Sequence, residues 1–214
     1  MVMLTFDDEV SVYNFPYFRK LFTKGRNNPN GCPIKGTFFV SGVATDFSKV
    51  RELYKRGHEI ASHSKSHRFP HSWWAAASYE DYKDEIEGMR KQLVKKAGIP
   101  YRDIKGMRVP FLQIGGDNQY KMLQDYGYMY DSSMLTGHLF RDKRPPLWPF
   151  TLDYPIDWKY SSLEPRPSKS YRGLSLKKLS QMDDVWVVSV SQVVEWTRHP
   201  TPISELNSFG PFQC

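Results

Sequence analysis

Apolar positions in this chain come in short solid runs separated by longer stretches of helical periodicity. "VMLTF" (2–6), "GTFFV" (36–40) and "HEIAS" (58–62) have strand length and little alternation, the pattern of strands buried on both faces. "IKGMRV" (104–109), "YMYDS" (128–132) and "VWVVSV" (185–190) continue the series. Between the runs, Asn14 is placed to cap a helix bearing Phe15, Phe18, Leu21 and Phe22, which Gly25 stops. Asp46 opens a second helix, with Phe47, Val50, Leu53 and Tyr54 on one stripe and Gly57 past its end. Ser78 with Asp81 has capping-box spacing and starts a long helix carrying Tyr82, Ile86, Met89 and Leu93. "DNQYKMLQDYG" and "SQVVEWTRH" predict two more helices, "NNPNGCP" is turn chemistry, and 141–173, rich in Pro, Arg and Ser, reads as a long loop.

Strands alternating with helices predict an α/β fold with a parallel sheet, open or closed into a barrel. A length of 214 residues suits one domain with a real core. The chain opens inside a predicted strand, so 1–214 is expected to be a single domain in fragment or truncated form. Its start has no signal-peptide pattern, and no apolar run reaches the length of a membrane span. A net charge of +7 raises nucleic acid as a partner. The basic residues are scattered, however, and no zinc-finger or RNP-like motif accompanies them, so neither nucleic acid nor a membrane is the expected partner. Only Cys32 and Cys214 occur, too few for a disulfide-rich scaffold or a cysteine zinc site.

The chemically able residues fall at the carboxyl ends of predicted strands. Asp7 and Asp8 follow the first, His63 ends the third with His67 four residues on, Arg108 comes late in the fourth, and Asp131 ends the fifth. In parallel α/β folds those ends share one face, where active sites are built. Alone, an Asp pair is usually a loop or cap feature and an HxxxH a surface or packed pair. Together, one carboxylate and two imidazoles complete a His₂–carboxylate metal set with open positions. The other Asp is then free as a base, and the Arg can hold it by a charge-assisted hydrogen bond. His58 starts a strand and His71 lies in a loop, so both are read as structural or exposed.

"TFDD", "HSKSH", "RVPFL" and "YDSS…PPLWP" resemble, in order and spacing, the motifs of the polysaccharide deacetylase family (carbohydrate esterase family 4). "NPNGC", "GTFFVS", "GHEIASHS", "LQIGGDNQY" and "VSQVVEW" look like its animal chitin deacetylase-like members. The resemblance implies a distorted (β/α) barrel and an extracellular, metal-dependent hydrolase that removes N-acetyl groups from N-acetylglucosamine polymers such as chitin. It implies Asp8, His63 and His67 as ligands of zinc or another divalent metal, Asp7 as general base, and Arg108 as its tether. The backbone N–H of Phe111 would help hold the oxyanion, Asp131 would tune a catalytic histidine, and Trp148 would wall the sugar site. Trp73 and Trp74 are candidates to stack on sugar, with packing as the alternative. A monomer is expected.

The family has a fifth motif, a strand ending in the histidine that protonates the departing amine. It belongs between "KSYRGL" and "VWVVSV", where only "SLKKLSQMDD" stands. The barrel is therefore expected to be incomplete and the enzyme weakened, with a catalytically impaired carbohydrate-binding or matrix protein as the alternative function. Barrel topology puts Cys32 and Cys214 on the face opposite the active site, which permits a bridge; two free thiols are the alternative.

Overall fold

The computed structural model describes residues 1–134 and 181–214. The expected long loop over 141–173, Trp148, His138 and residues 175–180 of the place of the fifth motif lie outside the described residues.

Strands β1 (Val2–Met3) and β2 (Thr5–Asp8) are one apolar run broken at Leu4. Helix α1 (Phe15–Leu21) leads to β3 (Thr37–Val40), and α2 (Phe47–Lys55) to β4 (Glu59–Ser62). A short helix α3 (Ser72–Ala76) and a helical run over 79–97 lead to β5 (Gly106–Met107). That run contains α4 (Tyr79–Tyr82) and α5 (Gly88–Gln92), each followed by a π-turn, Lys83–Glu87 and Leu93–Ala97. Helix α6 (Asp117–Asp125) precedes β6 (Tyr130–Asp131), and β7 (Val187–Val188) passes into α7 (Val190–Arg198).

Strands β2 to β6 form one parallel sheet in sequence order, and β7 lies parallel to β1 on the other side of the first strand run. This is a partial (β/α) barrel, the α/β architecture expected from the alternation. Alternate side chains explain the unbroken apolar runs. Phe38, Val40 and Ile60 point to the helices, joining Val50, Leu53, Met89 and Leu93 in the main core. Phe39 and Ala61 point inward, where Tyr130 and Val190 meet them. Burial on both faces demands apolar residues at successive positions.

Several strands are shorter than the runs that predicted them. "IKGMRV" contributes two ladder residues because Pro110 and the left-handed Phe111 (φ 60°) turn the chain away. Ser78 and Asp81 form the expected capping box, and Ser189 with Gln192 forms another at α7. Asn14 differs from expectation. Its side chain accepts from the Ser11 amide (2.8 Å) and donates to the Glu9 carbonyl (2.8 Å), tying the β2–α1 loop and leaving the helix without a side-chain cap.

The barrel interior holds an unexpected carboxylate. Glu59, the first residue of a fully buried strand, accepts the Thr37 hydroxyl (2.9 Å), the Tyr130 hydroxyl (3.1 Å) and the Ser191 amide (3.0 Å). Thr37 in turn accepts the Val190 amide (2.9 Å), so the first turn of α7 is fastened to β3, β4 and β6. The Tyr130 ring fits because residue 106 is glycine; a Cβ there would overlap it. At the amino-terminal face, Cys32 and Cys214 are disulfide-bonded, their Cα atoms 5.6 Å apart. Of the alternatives left by the sequence, the bridge is the one formed.

Candidate active site

Parallel register brings the chemistry together. Asp8 pairs with Val40 and Val40 with Ser62, so the carboxyl ends of β2, β3 and β4 are level, and Asp7, Asp8 and His63 emerge at one rim. Ser62 pairs with Met107, which delivers Arg108 to the same rim.

Asp8, His63 and His67 each aim one ligand atom at a common point, with all these atoms within 4.8 Å of one another. Asp8 Oδ1 lies 3.6 Å from His63 Nε2 and 3.1 Å from His67 Nε2. A tetrahedral site with ligand bonds of about 2.0–2.2 Å has edges on the order of 3.3–3.6 Å, and these two spacings lie near that range, so the three residues fit a divalent metal ion. His63 Nδ1 sits 2.8 Å from the Arg108 carbonyl, which favours the proton on Nδ1 and leaves Nε2 as a lone-pair donor. The two imidazoles hold the Asp8 carboxyl below its ordinary pKa, chiefly through its hydrogen bond with His63 and against the opposing cost of partial burial. Burial, then the neighbouring His63, pushes the His67 imidazole down, keeping it neutral and able to ligate.

Backbone strain gathers here. Asp8 (φ 80°), Ser64 (φ 73°), His67 (φ 49°), Phe111 (φ 60°) and Leu112 (φ 58°) are all left-handed, a conformation that residues with a Cβ hold only where their surroundings enforce it. The Ser64 hydroxyl accepts the His67 amide (3.0 Å), one of those enforcing bonds.

Asp7 stands beside the metal set without joining it. Its Oδ1 accepts from Arg108 Nη1 at 2.7 Å. The same guanidinium donates to the Ser132 carbonyl (2.9 Å), the Ser132 hydroxyl (2.8 Å) and the Thr5 hydroxyl (3.3 Å), and lies over the Phe39 ring at 4.1 Å. Such a planar fork held on several sides has one orientation, which lysine could not reproduce. Ser132 and Thr5 were not singled out by the sequence; the "DSS" of the fourth motif was the available signal.

Asp131 lies deeper. Its carboxylate accepts the Ser133 amide (2.9 Å), the Ser133 hydroxyl and the Gln119 amide nitrogen (2.8 Å). Desolvation raises its pKa to about 6, with Ser133, Arg108 and Gln119 pulling the other way. A carboxyl whose folded pKa exceeds its unfolded value favours the protonated folded state, so its contribution to stability falls as pH rises through the interval between about 4 and 6. The wild-type protein is expected to lose about 1–3 kcal/mol relative to Asp131→Asn between pH 4 and pH 7. Denaturant unfolding at those two pH values measures the difference, and a constant gap between the two proteins contradicts it.

The aromatic expectations are partly corrected. Trp74 is fully buried, its indole N–H donating to the Arg68 carbonyl (2.9 Å) and its ring against Tyr82, so it offers no face to a sugar. Trp73 is partly buried, edge-on to Trp74 and under the Arg68 guanidinium at 4.7 Å. The exposed rings beside the metal set are Phe111, 4.8 Å from His67, and Phe69, 6.2 Å from Phe111. Phe69 went unnoticed because a lone aromatic in a loop carries no pattern. His58 is buried against Phe22 and Phe38, where desolvation lowers its pKa to about 4, and His71 lies 6.4 Å from Phe111.

A level strand rim bearing two adjacent carboxylates, an HxxxH pair and a tethering arginine defines an α/β protein of the partial (β/α)-barrel class with a candidate His₂–carboxylate metal set. Residues 1–130 match the family model described as polysaccharide deacetylase, and the chain belongs to that family. It is 42% identical over 153 residues to chitin deacetylase 8 of Bombyx mori, covering 72% of this chain and 39% of that protein. It is 36% identical over 172 residues to chitin deacetylase 1 of the same organism, covering 80% of this chain and 31% of the relative. The chain thus spans less than half the length of either. Among solved structures, a family 4 carbohydrate esterase from Streptomyces lividans in complex with acetate aligns over 61% of this chain and 60% of that one, at 24% identity and a TM-score of 0.47.

Proposed function

We propose that this chain is a single catalytic domain of a metal-dependent N-deacetylase acting outside the cell on N-acetylglucosamine polymers such as chitin. The observation that carries the reading is the pairing of a metal-fitting triad, Asp8, His63 and His67, with a second carboxylate, Asp7, held by Arg108 at 2.7 Å. The names of the two Bombyx mori relatives point to chitin. The Cys32–Cys214 bond supports an oxidising, extracellular setting. No helix among the described residues is long and apolar enough to cross a membrane. The domain is read as a monomer.

A divalent ion such as zinc, when bound by the triad, would polarise the acetamide carbonyl and acidify a water molecule. Asp7 takes the proton of the attacking water, its carboxylate aimed by Arg108. The Phe111 amide donates to the oxyanion of the tetrahedral intermediate. Phe111 and Phe69 give the acetylated sugar an apolar wall, with Trp148 as a further wall. Asp131 serves this face by holding Ser133 and Gln119 in place. The proton taken up by Asp7 is available to the departing amine.

A second reading, a catalytically impaired carbohydrate-binding or matrix protein, is favoured by one fact. No histidine occurs between His138 and His199, the stretch in which the sequence places the family's amine-protonating motif. A positioned acid contributes about 10²–10⁴-fold, and turnover is expected to fall below that of complete relatives by a comparable factor. Acetate release from chitin oligosaccharides, with zinc content measured on the same samples, tests both readings. His67→Ala is expected to lose zinc and activity together. Equal zinc in wild type and His67→Ala overturns the metal assignment; zinc binding without any acetate release supports the second reading.

A further inference from the structure

Glu85 is a buried acid that the reaction leaves unused, 5% exposed in the middle of the π-turn Lys83–Glu87. Its Oε2 accepts the Ser66 amide at 2.8 Å and its Oε1 the Ser66 hydroxyl at 2.6 Å. Its carbonyl accepts the Lys65 amide at 2.9 Å, and the next carbonyl, of Ile86, accepts the Ser62 hydroxyl at 2.9 Å. A π-turn alters the helical hydrogen-bond register and turns carbonyls toward partners outside the helix. Here two of those partners, Ser62 and Lys65, belong to the segment that runs from the end of β4 to His67, and Ser66 of the same segment is held by the Glu85 carboxylate.

The opposite side of that segment is held as firmly. The Gly42 amide donates to the Ser64 carbonyl at 3.0 Å, and a Cβ on Gly42 would overlap the Lys65 carbonyl oxygen. Residues 62–67 are therefore gripped between the end of β3 and the π-turn. Two of them, Ser64 and His67, hold left-handed backbone that a free loop would abandon. Ser66 directly precedes His67, so fixing both its amide and its hydroxyl fixes the peptide from which the His67 side chain departs.

We propose that Glu85 is a positioning residue for His67: its carboxylate, carried on the π-turn, locks Ser66 and so holds the strained backbone that aims the imidazole at the metal position. The inference rests on the metal reading above and adds a residue that touches neither metal nor substrate. Because Glu85 acts through backbone placement, its removal weakens metal binding in proportion to how far His67 drifts. Its charge is dispensable. Glutamine can accept the Ser66 amide through its carbonyl and donate its NH₂ to the Ser66 oxygen, which both donates and accepts.

The test is the zinc dissociation constant, measured by competition with a chromophoric chelator, together with the metal-free melting temperature of each protein. Glu85→Ala is expected to weaken zinc binding about 10–100-fold, the range for loss of an outer partner of a ligand. Glu85→Gln is expected to stay within about threefold of wild type. Ser66→Ala keeps the helix and one of the two bonds and falls between them. Unchanged zinc affinity in Glu85→Ala, with only a lower melting temperature, overturns the proposal. If Glu85→Ala does not fold, Ser66→Ala decides, and wild-type affinity there overturns it equally. A wild-type protein that binds no zinc, or binds it as well after His67→Ala, removes the metal reading and this inference with it.

Discussion

Asp7→Asn is expected to lower acetate release from chitin oligosaccharides by about 10²–10⁴-fold, the usual worth of a positioned general base. The substitution is nearly isosteric, and its amide oxygen can still accept from Arg108 Nη1, so the rim keeps its shape. Zinc content should not change, because the ligand atoms belong to Asp8, His63 and His67. That separation makes the experiment informative: loss of activity with full metal content assigns Asp7 to proton transfer, whereas parallel loss of both makes it a ligand. Arg108→Lys should reproduce much of the kinetic defect, because an ammonium cannot serve Asp7, Thr5 and both Ser132 oxygens from one plane.

Cys32→Ser is expected to destabilise the folded protein by about 3–5 kcal/mol through loss of the cross-link. The two cysteines are 182 residues apart, and in the chain-entropy view a loop of that size is near the upper end of what a disulfide contributes. For a protein of this size such a change lowers Tm by roughly 6–20 °C. Thermal unfolding of wild type, Cys32→Ser and reduced wild type checks it. The variant and the reduced protein should melt together, and a Cys32→Ser protein as stable as oxidised wild type would refute the expectation.

The strands β3 and β4 were legible because burial on both faces leaves no room for polar alternation, and "GTFFV" and "HEIAS" show none, while β2 was legible as the short run "VMLTF" that leads into two carboxylates. The rim followed from them, since parallel strands carry their carboxyl ends to one face and every candidate sat at such an end. The π-turns were not legible, because the apolar stripe Tyr82, Ile86, Met89, Leu93 reads the same through a regular helix. Glu85 lies on that stripe, three residues after Tyr82 and four before Met89. A charge on a core-facing stripe was therefore a signal that its burial required partners. Glu59 posed the same puzzle inside "HEIAS". Trp74 misled because an adjacent tryptophan pair says nothing about which ring faces the core; here the Arg68 carbonyl captures one indole N–H, and the ring goes in with it.

The disulfide divides the molecule in a way that the fold hides. Cross-linking 32 to 214 makes a closed covalent ring that holds His63, His67, Arg108 and Glu85. Asp7 and Asp8 are not on that ring. They ride on the arm of residues 1–31, which is retained by its pairing with β3 and β7 and by the cluster of Phe6, Phe18 and Phe22 with Phe38. The candidate site is thus assembled from two topologically separable pieces, imidazoles on one and carboxylates on the other. A single cut in the exposed turn around Gly25 would leave a two-part protein whose carboxylate piece is exchangeable in principle for a synthetic peptide, with any chosen acid in the place of Asp7.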